Sequence, residues 1–342
     1  MNVKKLDTAA FGEWVDTCTA AGCVYGVQAK GDRYVFEALE KASDLRLDYD
    51  VTILPPKKYL QPQRETLVTF SKESGFKSVV NEESFTLFGI HPYDMIAISQ
   101  MDQIFTEDNP DVHYLTRREN ATLVVCDIQN TSENIFAGAM GTATVDDGFD
   151  ILVTKIGNDY LVDVRTEKGE VLASSIADAP DASEEALAQR ETVQEQNRRD
   201  AVKHELKPNL EELPKLLGEA YEHAVWEEKA EQCHSCGSCN LVCPTCYCFN
   251  VCDEVDWSLK NVRRERVWDG CMLAGFALTA GGHNFRRNRA DRYRHRYLRK
   301  GKYIPEKIGE TGCVGCGRCI TACTTKIANP VEIFNRIAED SK

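Results

Sequence analysis

The chain has 342 residues, enough for about two domains with separate cores, and its 42% hydrophobic and 28% charged residues are ordinary for a soluble protein. Lys4 and Lys5 lead into no apolar stretch of signal-peptide length, and the longest weakly polar run, Met272–Gly282, is too short and too Gly-rich to span a bilayer; these features argue against secretion and membrane insertion, and the chain reads as cytoplasmic. The net charge of −13 is uneven: from Phe285 to Lys302 nine Arg and Lys face Asp291 alone.

The expected fold class is α+β. Residues 1–176 read as a mixed α/β domain, with apolar β-type runs at Leu67–Phe70, Phe85–Gly89, Leu123–Asp127, Ile151–Lys155 and Tyr160–Val164. The last run precedes Glu167-Lys168-Gly169-Glu170, read as a turn, with Val171-Leu172-Ala173 as hairpin partner. Helical patterns cover Lys5–Thr19 and Tyr93–Phe105; in the second, Met95, Ile98, Met101 and Phe105 share one face. Residues 177–232 form a helical connector rich in Glu, Gln, Ala and Arg. It reads as two helices broken near Pro208, the first capped by Asp181 or Ser183, the second with Leu210, Leu213, Leu217, Tyr221 and Val225 on a stripe that docks beside the next domain.

Residues 233–342 carry all the cysteines except Cys18, Cys23 and Cys126, and eight of them form two matching ladders. These are Cys233-x2-Cys236-x2-Cys239-x3-Cys243-Pro244 and Cys313-x2-Cys316-x2-Cys319-x3-Cys323. In an intracellular chain such spacing points to metal rather than disulfides, and this one suits [4Fe–4S] clusters. The C-x2-C-x2-C turn supplies three thiolates, and the fourth cysteine lies too far along to close the same cluster. Crossed ligation therefore predicts one cluster on Cys233, Cys236, Cys239 and Cys323, and a second on Cys313, Cys316, Cys319 and Cys243. Gly237 and Gly317 suit the tight turns, and the second ladder has Thr324 where the first has Pro244. Exposed clusters of this kind suit an anaerobic setting. The region thus reads as a ferredoxin-like two-cluster domain with a long insert, 244–312, and a terminal helix over Val331–Ala338.

The insert holds Cys246, Cys248, Cys252 and Cys271. They suggest a third iron–sulfur or other metal site, or Cys246 replacing Cys243 as a ligand, against the alternative of buried thiols that pack as small hydrophobes. His283, alone in a Gly-rich loop, reads as a structural hydrogen-bonder. The Arg-rich stripe 286–302 suits protein docking or cluster tuning. The alternative reading is a cluster-containing redox sensor or nucleic-acid-binding protein that uses this stripe on phosphates.

Cys-Pro-Thr-Cys-Tyr-Cys (243–248), Val-Trp-Asp-Gly-Cys (267–271), Ala-Gly-Gly-His-Asn-Phe-Arg (280–286) and Cys-Val-Gly-Cys-Gly-Arg-Cys (313–319) resemble the iron–sulfur β subunit of cytosolic [NiFe] hydrogenases (sulfhydrogenases) and the A subunit of anaerobic sulfite reductase. Leu54-Pro55-Pro56-Lys57-Lys58, Gln63-Arg64-Glu65, Phe88-Gly89-Ile90-His91-Pro92 and Arg117-Arg118-Glu119 extend the likeness to nearly the whole chain. The resemblance implies a non-catalytic electron-transfer subunit of an oxidoreductase complex of hydrogenase, sulfite-reductase or bifurcating type. Its implied partners are a flavoprotein subunit that meets NAD(P)H and a subunit with a catalytic metal centre or a bifurcating site, with no membrane and no nucleic acid. Related chains often carry a further cysteine set in the N-terminal domain. At the corresponding places this chain has Tyr93, Cys126, Ile135 and Ala137, so only Cys126 remains and the domain is expected to act as a scaffold. Cys18 and Cys23 fall outside that set.

Overall fold

The computed structural model describes residues 2–341 of the chain. Its strands, in chain order, are β1 (Asn2–Asp7), β2 (Val24–Lys30), β3 (Arg33–Ala38), β4 (Arg64–Ser71), β5 (Gly75–Ser78), β6 (Phe85–Ile90), β7 (Ala121–Cys126), β8 (Ile151–Ile156), β9 (Asp159–Val164), β10 (Phe249–Val255) and β11 (Asn261–Trp268). Seven of them form a mixed sheet in the order β1-β9-β8-β7-β6-β2-β3. Strands β2, β6, β7 and β8 run parallel at its centre, and β1, β9 and β3 add antiparallel margins. Central strands covered on both faces need continuous apolar sequence, and β7 (Ala-Thr-Leu-Val-Val-Cys) and β8 supply it: Leu123, Val124, Val125, Ile151, Leu152 and Val153 are all buried. The helices Thr8–Ala21 and Pro92–Thr106 cover the sheet with Phe11, Trp14, Met95, Ile98, Met101 and Phe105.

Two N-terminal elements differ from the sequence reading, and local capping explains both. The first helix starts at Thr8, because Asp7 accepts a hydrogen bond from Ala10 N (2.8 Å) as an N-cap; the residues before it form β1. Residues Glu167–Leu172 are a helix, so Val171-Leu172-Ala173 is no hairpin partner. Thr166 caps that helix by accepting from Gly169 N (3.2 Å), and β9 pairs with β8 and β1 instead.

The connector is split between two surfaces. Helix Glu184–Asp200, capped by Ser183, lies on the sheet near Val3, Ile156 and Leu161, while Asp181 pairs with Lys4. The second expected helix is two short ones, Leu213–Glu219 and Val225–Glu231. Leu213, Leu217, Val225 and Trp226 are buried against Tyr293, Tyr297 and Phe334, and Tyr221 is exposed. The terminal helix, Pro330–Asp340, buries Val331, Phe334 and Ile337.

A second, four-stranded sheet has the order β10-β11-β4-β5. The insert hairpin β10–β11 thereby extends a hairpin of the N-terminal part. The joint is locked by a buried ionic network: Arg266 on β11 meets Glu65 on β4 (2.5 Å) and Asp111, and Arg117 meets the other Glu65 oxygen (2.6 Å). A buried charge stripped of a partner is expensive. Arg266→Ala is expected to lower stability by about 3 kcal/mol, seen as a lower denaturation midpoint by circular dichroism. No helix among the described residues is long and apolar enough to cross a membrane.

Candidate metal centre

The two ladders share one backbone. Ser235 and Gly237 in the first have φ of 52° and 76°, and Gly315 and Gly317 in the second have 64° and 77°. Two left-handed residues per ladder coil the chain so that three cysteines point inward. A short helix then follows in each, Ser238–Leu241 and Arg318–Ala322, and the two helices pack side by side. Each fourth cysteine has a threonine hydroxyl two residues on, Thr245 at 3.4 Å from Cys243 Sγ and Thr325 at 3.6 Å from Cys323 Sγ. The Pro244-to-Thr324 change leaves this feature intact.

This pseudo-symmetric pairing brings the last cysteine of each ladder to the first three of the other. Cys233, Cys236, Cys239 and Cys323 line one cavity, walled by Met272, Tyr293 and Ile327. Cys243 is close enough to Cys313, Cys316 and Cys319 to influence the ionisation of each. Among the described residues no three His, Cys, Asp or Glu side chains converge as a single ion would require. The cysteines surround volumes, which suits clusters.

The surrounding charge also fits an anionic group. Arg292, Arg296 and Lys300, spaced four apart, are buried along one side of the helical segment 289–303. Arg289 donates to Cys233 O (2.8 Å), Arg292 to Ser235 Oγ (2.9 Å) and Arg296 to Cys239 O (3.2 Å). Burial works against the Lys300 ammonium, but the Cys243 and Cys246 thiolates outweigh it and raise its pKa; burial against Arg296 is likewise outweighed by Cys239 and Cys319. At Lys57, burial prevails over Cys246 and Cys243, and the pKa falls to about 8. The charges facing these buried cations are thiols. Of the nine basic residues of the stripe, Arg292, Arg296 and Lys300 are buried towards the cysteines, while Arg287 and Arg289 stay exposed. His283 stays in an exposed loop, edge-on to Phe285.

The second ladder is seated on the sheet. Strands β6 and β7 end at Ile90 and Cys126, and the segments that follow them meet the loop 313–319, at the carboxyl ends of parallel strands. Arg318 donates two bonds to Asp94 (2.6 and 2.7 Å), in the first turn of helix Pro92–Thr106, and two more to Thr52 (both 2.8 Å); neither charged side chain reaches solvent. Tyr93, Ile135 and Ala137 are fully buried and pack with Val314 and Cys316, while Cys126 lies within the sheet core. At three of the four positions of the N-terminal cysteine set expected from the resemblance, apolar packing fills the space.

Of the insert thiols, Cys246, Cys248 and Cys271 line a second cavity, whereas Cys252 sits on β10 opposite Glu265, outside it. Cys252 therefore does not join the other three. Cys18 is a core thiol whose pKa burial pushes up to about 12, and Cys23 is exposed. Lys57, Asp94 and Asn240 escaped the sequence reading. The only available signal was Arg318, a charge between two cysteines where the first ladder has Ser238.

The ladders and their cationic surroundings define an iron–sulfur protein of the two-cluster class. The family model described as 4Fe-4S dicluster domain matches residues 232–327. The chain is 36% identical over 340 residues to sulfhydrogenase 2 subunit beta of Pyrococcus furiosus, covering 99% of both chains. It belongs to the family of sulfhydrogenase β subunits, iron–sulfur electron-transfer proteins of oxidoreductase complexes. No solved structure matches it.

Gly317 and Gly237 hold equivalent left-handed turns, but their surroundings differ. A Cβ at Gly317 would lie 2.3 Å from the backbone oxygen of Asn134, whereas at Gly237 it would meet the movable Leu273 side chain at 2.8 Å. Both Gly→Ala changes strain the backbone, yet Gly317→Ala is expected to lose about half of the ladder-bound iron and Gly237→Ala to keep most of it, as measured by iron content after anaerobic purification.

Proposed function

We propose that the chain relays single electrons between a flavoprotein subunit that meets NAD(P)H and a partner redox centre. It uses one [4Fe–4S] cluster on Cys233, Cys236, Cys239 and Cys323 and a second on Cys313, Cys316, Cys319 and Cys243. When bound, such a cluster exchanges one electron with little change in its ligands. The observation that carries the reading is the single cavity lined by three cysteines of the first ladder and the last of the second.

The chain's own residues hold and tune these positions. The left-handed turns fix three sulfurs of each ladder, and the paired helices Ser238–Leu241 and Arg318–Ala322 fix the exchange of the fourth. Buried positive charge favours the more negative, reduced form of a nearby cluster. Arg296 lies between the two sets, close to Cys239 on one side and to Cys319 and Cys243 on the other. The Arg318–Asp94 pair holds the second set against the sheet. The sheet itself presents a packed interior at the N-terminal cysteine positions, which suits a scaffold with the electron route confined to the C-terminal part.

Two experiments test this reading. Under crossed ligation, replacing Cys313, Cys316 and Cys319 together by Ser leaves one cluster with four thiolates. Adding Cys323→Ser to that variant is expected to produce a three-iron electron paramagnetic resonance signal, and adding Cys243→Ser is expected to leave the spectrum unchanged; uncrossed ligation predicts the reverse. Native purification from the source cell is expected to bring down a flavin-containing subunit, identified by mass spectrometry. Recovery of the chain as a partnerless monomer would sink the relay reading.

A further inference from the structure

Three thiols that neither ladder uses line one small cavity. Cys246, Cys248 and Cys271 share it with Asn240, Arg296, Arg299 and Lys300. The carboxamide of Asn240 fixes the relation of two sulfurs, with its Nδ2 3.7 Å from Cys246 Sγ and 3.4 Å from Cys271 Sγ, while its Oδ1 accepts from Met272 N (3.1 Å).

The loop that carries these thiols is anchored from the N-terminal part. Lys57 donates to Cys246 O, Gln61 donates to Tyr247 O (2.9 Å) and Trp268 Nε1 donates to Gln61 O (2.9 Å). On the other side Asp269 N donates to Cys248 O (3.1 Å). The cysteines are thus held as walls of a preformed space.

The chemistry of those walls separates the two readings of unused thiols. Buried cysteines that merely fill space sit among apolar side chains. Here the walls carry Arg296, only 2% exposed, whose Nε has no hydrogen-bond partner, together with Lys300 and Arg299, and Lys57 lies fully buried beside Cys246. A cavity bordered by several buried cations and no carboxylate is costly unless an anionic group fills it. A lone ion is a poor fit, because its ligands must converge to about 2.3 Å from one point, and no three candidate ligands among the described residues do so.

We propose that Cys246, Cys248 and Cys271 bind a third [4Fe–4S] cluster. Each thiolate takes one iron, and the fourth iron takes a non-cysteine ligand such as water, since Cys252 lies outside the cavity and Cys243 faces the second ladder. The site adjoins the second cluster because Cys246 lies three residues beyond Cys243 in one turn, its N donating to Cys243 O (3.3 Å). It stands whether or not the chain's partners are those proposed above.

The test is iron and acid-labile sulfide analysis of the full chain, reconstituted anaerobically with ferrous iron and sulfide. About twelve irons and twelve sulfides per chain are expected, falling by about four of each in the Cys248→Ser/Cys271→Ser double variant while the ladder clusters keep their spectra. About eight irons in the unaltered chain, or about twelve retained in the double variant, would overturn the site. If the double variant does not fold, the unaltered chain's count decides, because the two ladders account for only about eight.

Discussion

Arg318 stands between two cysteines of the second ladder in sequence, and its guanidinium is shut away from water. A charge in that position is tolerable only when a carboxylate and further acceptors meet it. Asp94 and Thr52 together provide four bonds, and all come from the N-terminal part. This requirement ties the ladder to the start of the helix after β6 and hence to the carboxyl ends of the parallel strands. Gly315 and Gly317 then bring the ladder backbone against residues 134–137 so closely that a Cβ has no room. The α/β part and the cluster-bearing part meet here as a single packed interior.

The same logic governs the rest of the cysteine-rich region. Lys57, Arg296 and Lys300 are buried where the opposing charges are thiolates. Without an anionic group among them these residues would repel one another in a medium that screens little. The cations are therefore part of how the sites are built. The burial of Arg292, Arg296 and Lys300 follows from the register of one helical segment, which places residues 292, 296 and 300 on the same side as the ladders.

The insert gains its meaning from contacts far away in sequence. Its hairpin β10–β11 completes a sheet begun by β4 and β5, and its thiols are held by Lys57 and Gln61. The motif Leu54-Pro55-Pro56-Lys57-Lys58 has no evident chemistry of its own; in the structure its first lysine anchors the Cys246 loop. At the N-terminal positions Tyr93, Ile135 and Ala137, the space next to Cys316 is filled by apolar packing.

Much of the fold and of the site was legible from local pattern. The five apolar runs are strands, and the helix carrying Met95, Ile98, Met101 and Phe105 buries those four residues, because alternation and helical spacing report which face is covered. The ladder spacing named eight thiols and the kind of group they suit, because three of a cluster's four thiolates come from one short turn. The helix over Lys5–Thr19 and the hairpin partner at Val171-Leu172-Ala173 differ from the structure because one side-chain hydrogen bond, at Asp7 and at Thr166, moves a boundary or replaces a strand by a helical turn. Tertiary structure alone could decide that Cys252 parts from Cys246, Cys248 and Cys271, that Arg292, Arg296 and Lys300 turn inward, and that Asp94 answers Arg318. Each depends on charges and thiols brought together from distant segments, and one chain's local periodicity carries no record of which distant group will be its neighbour.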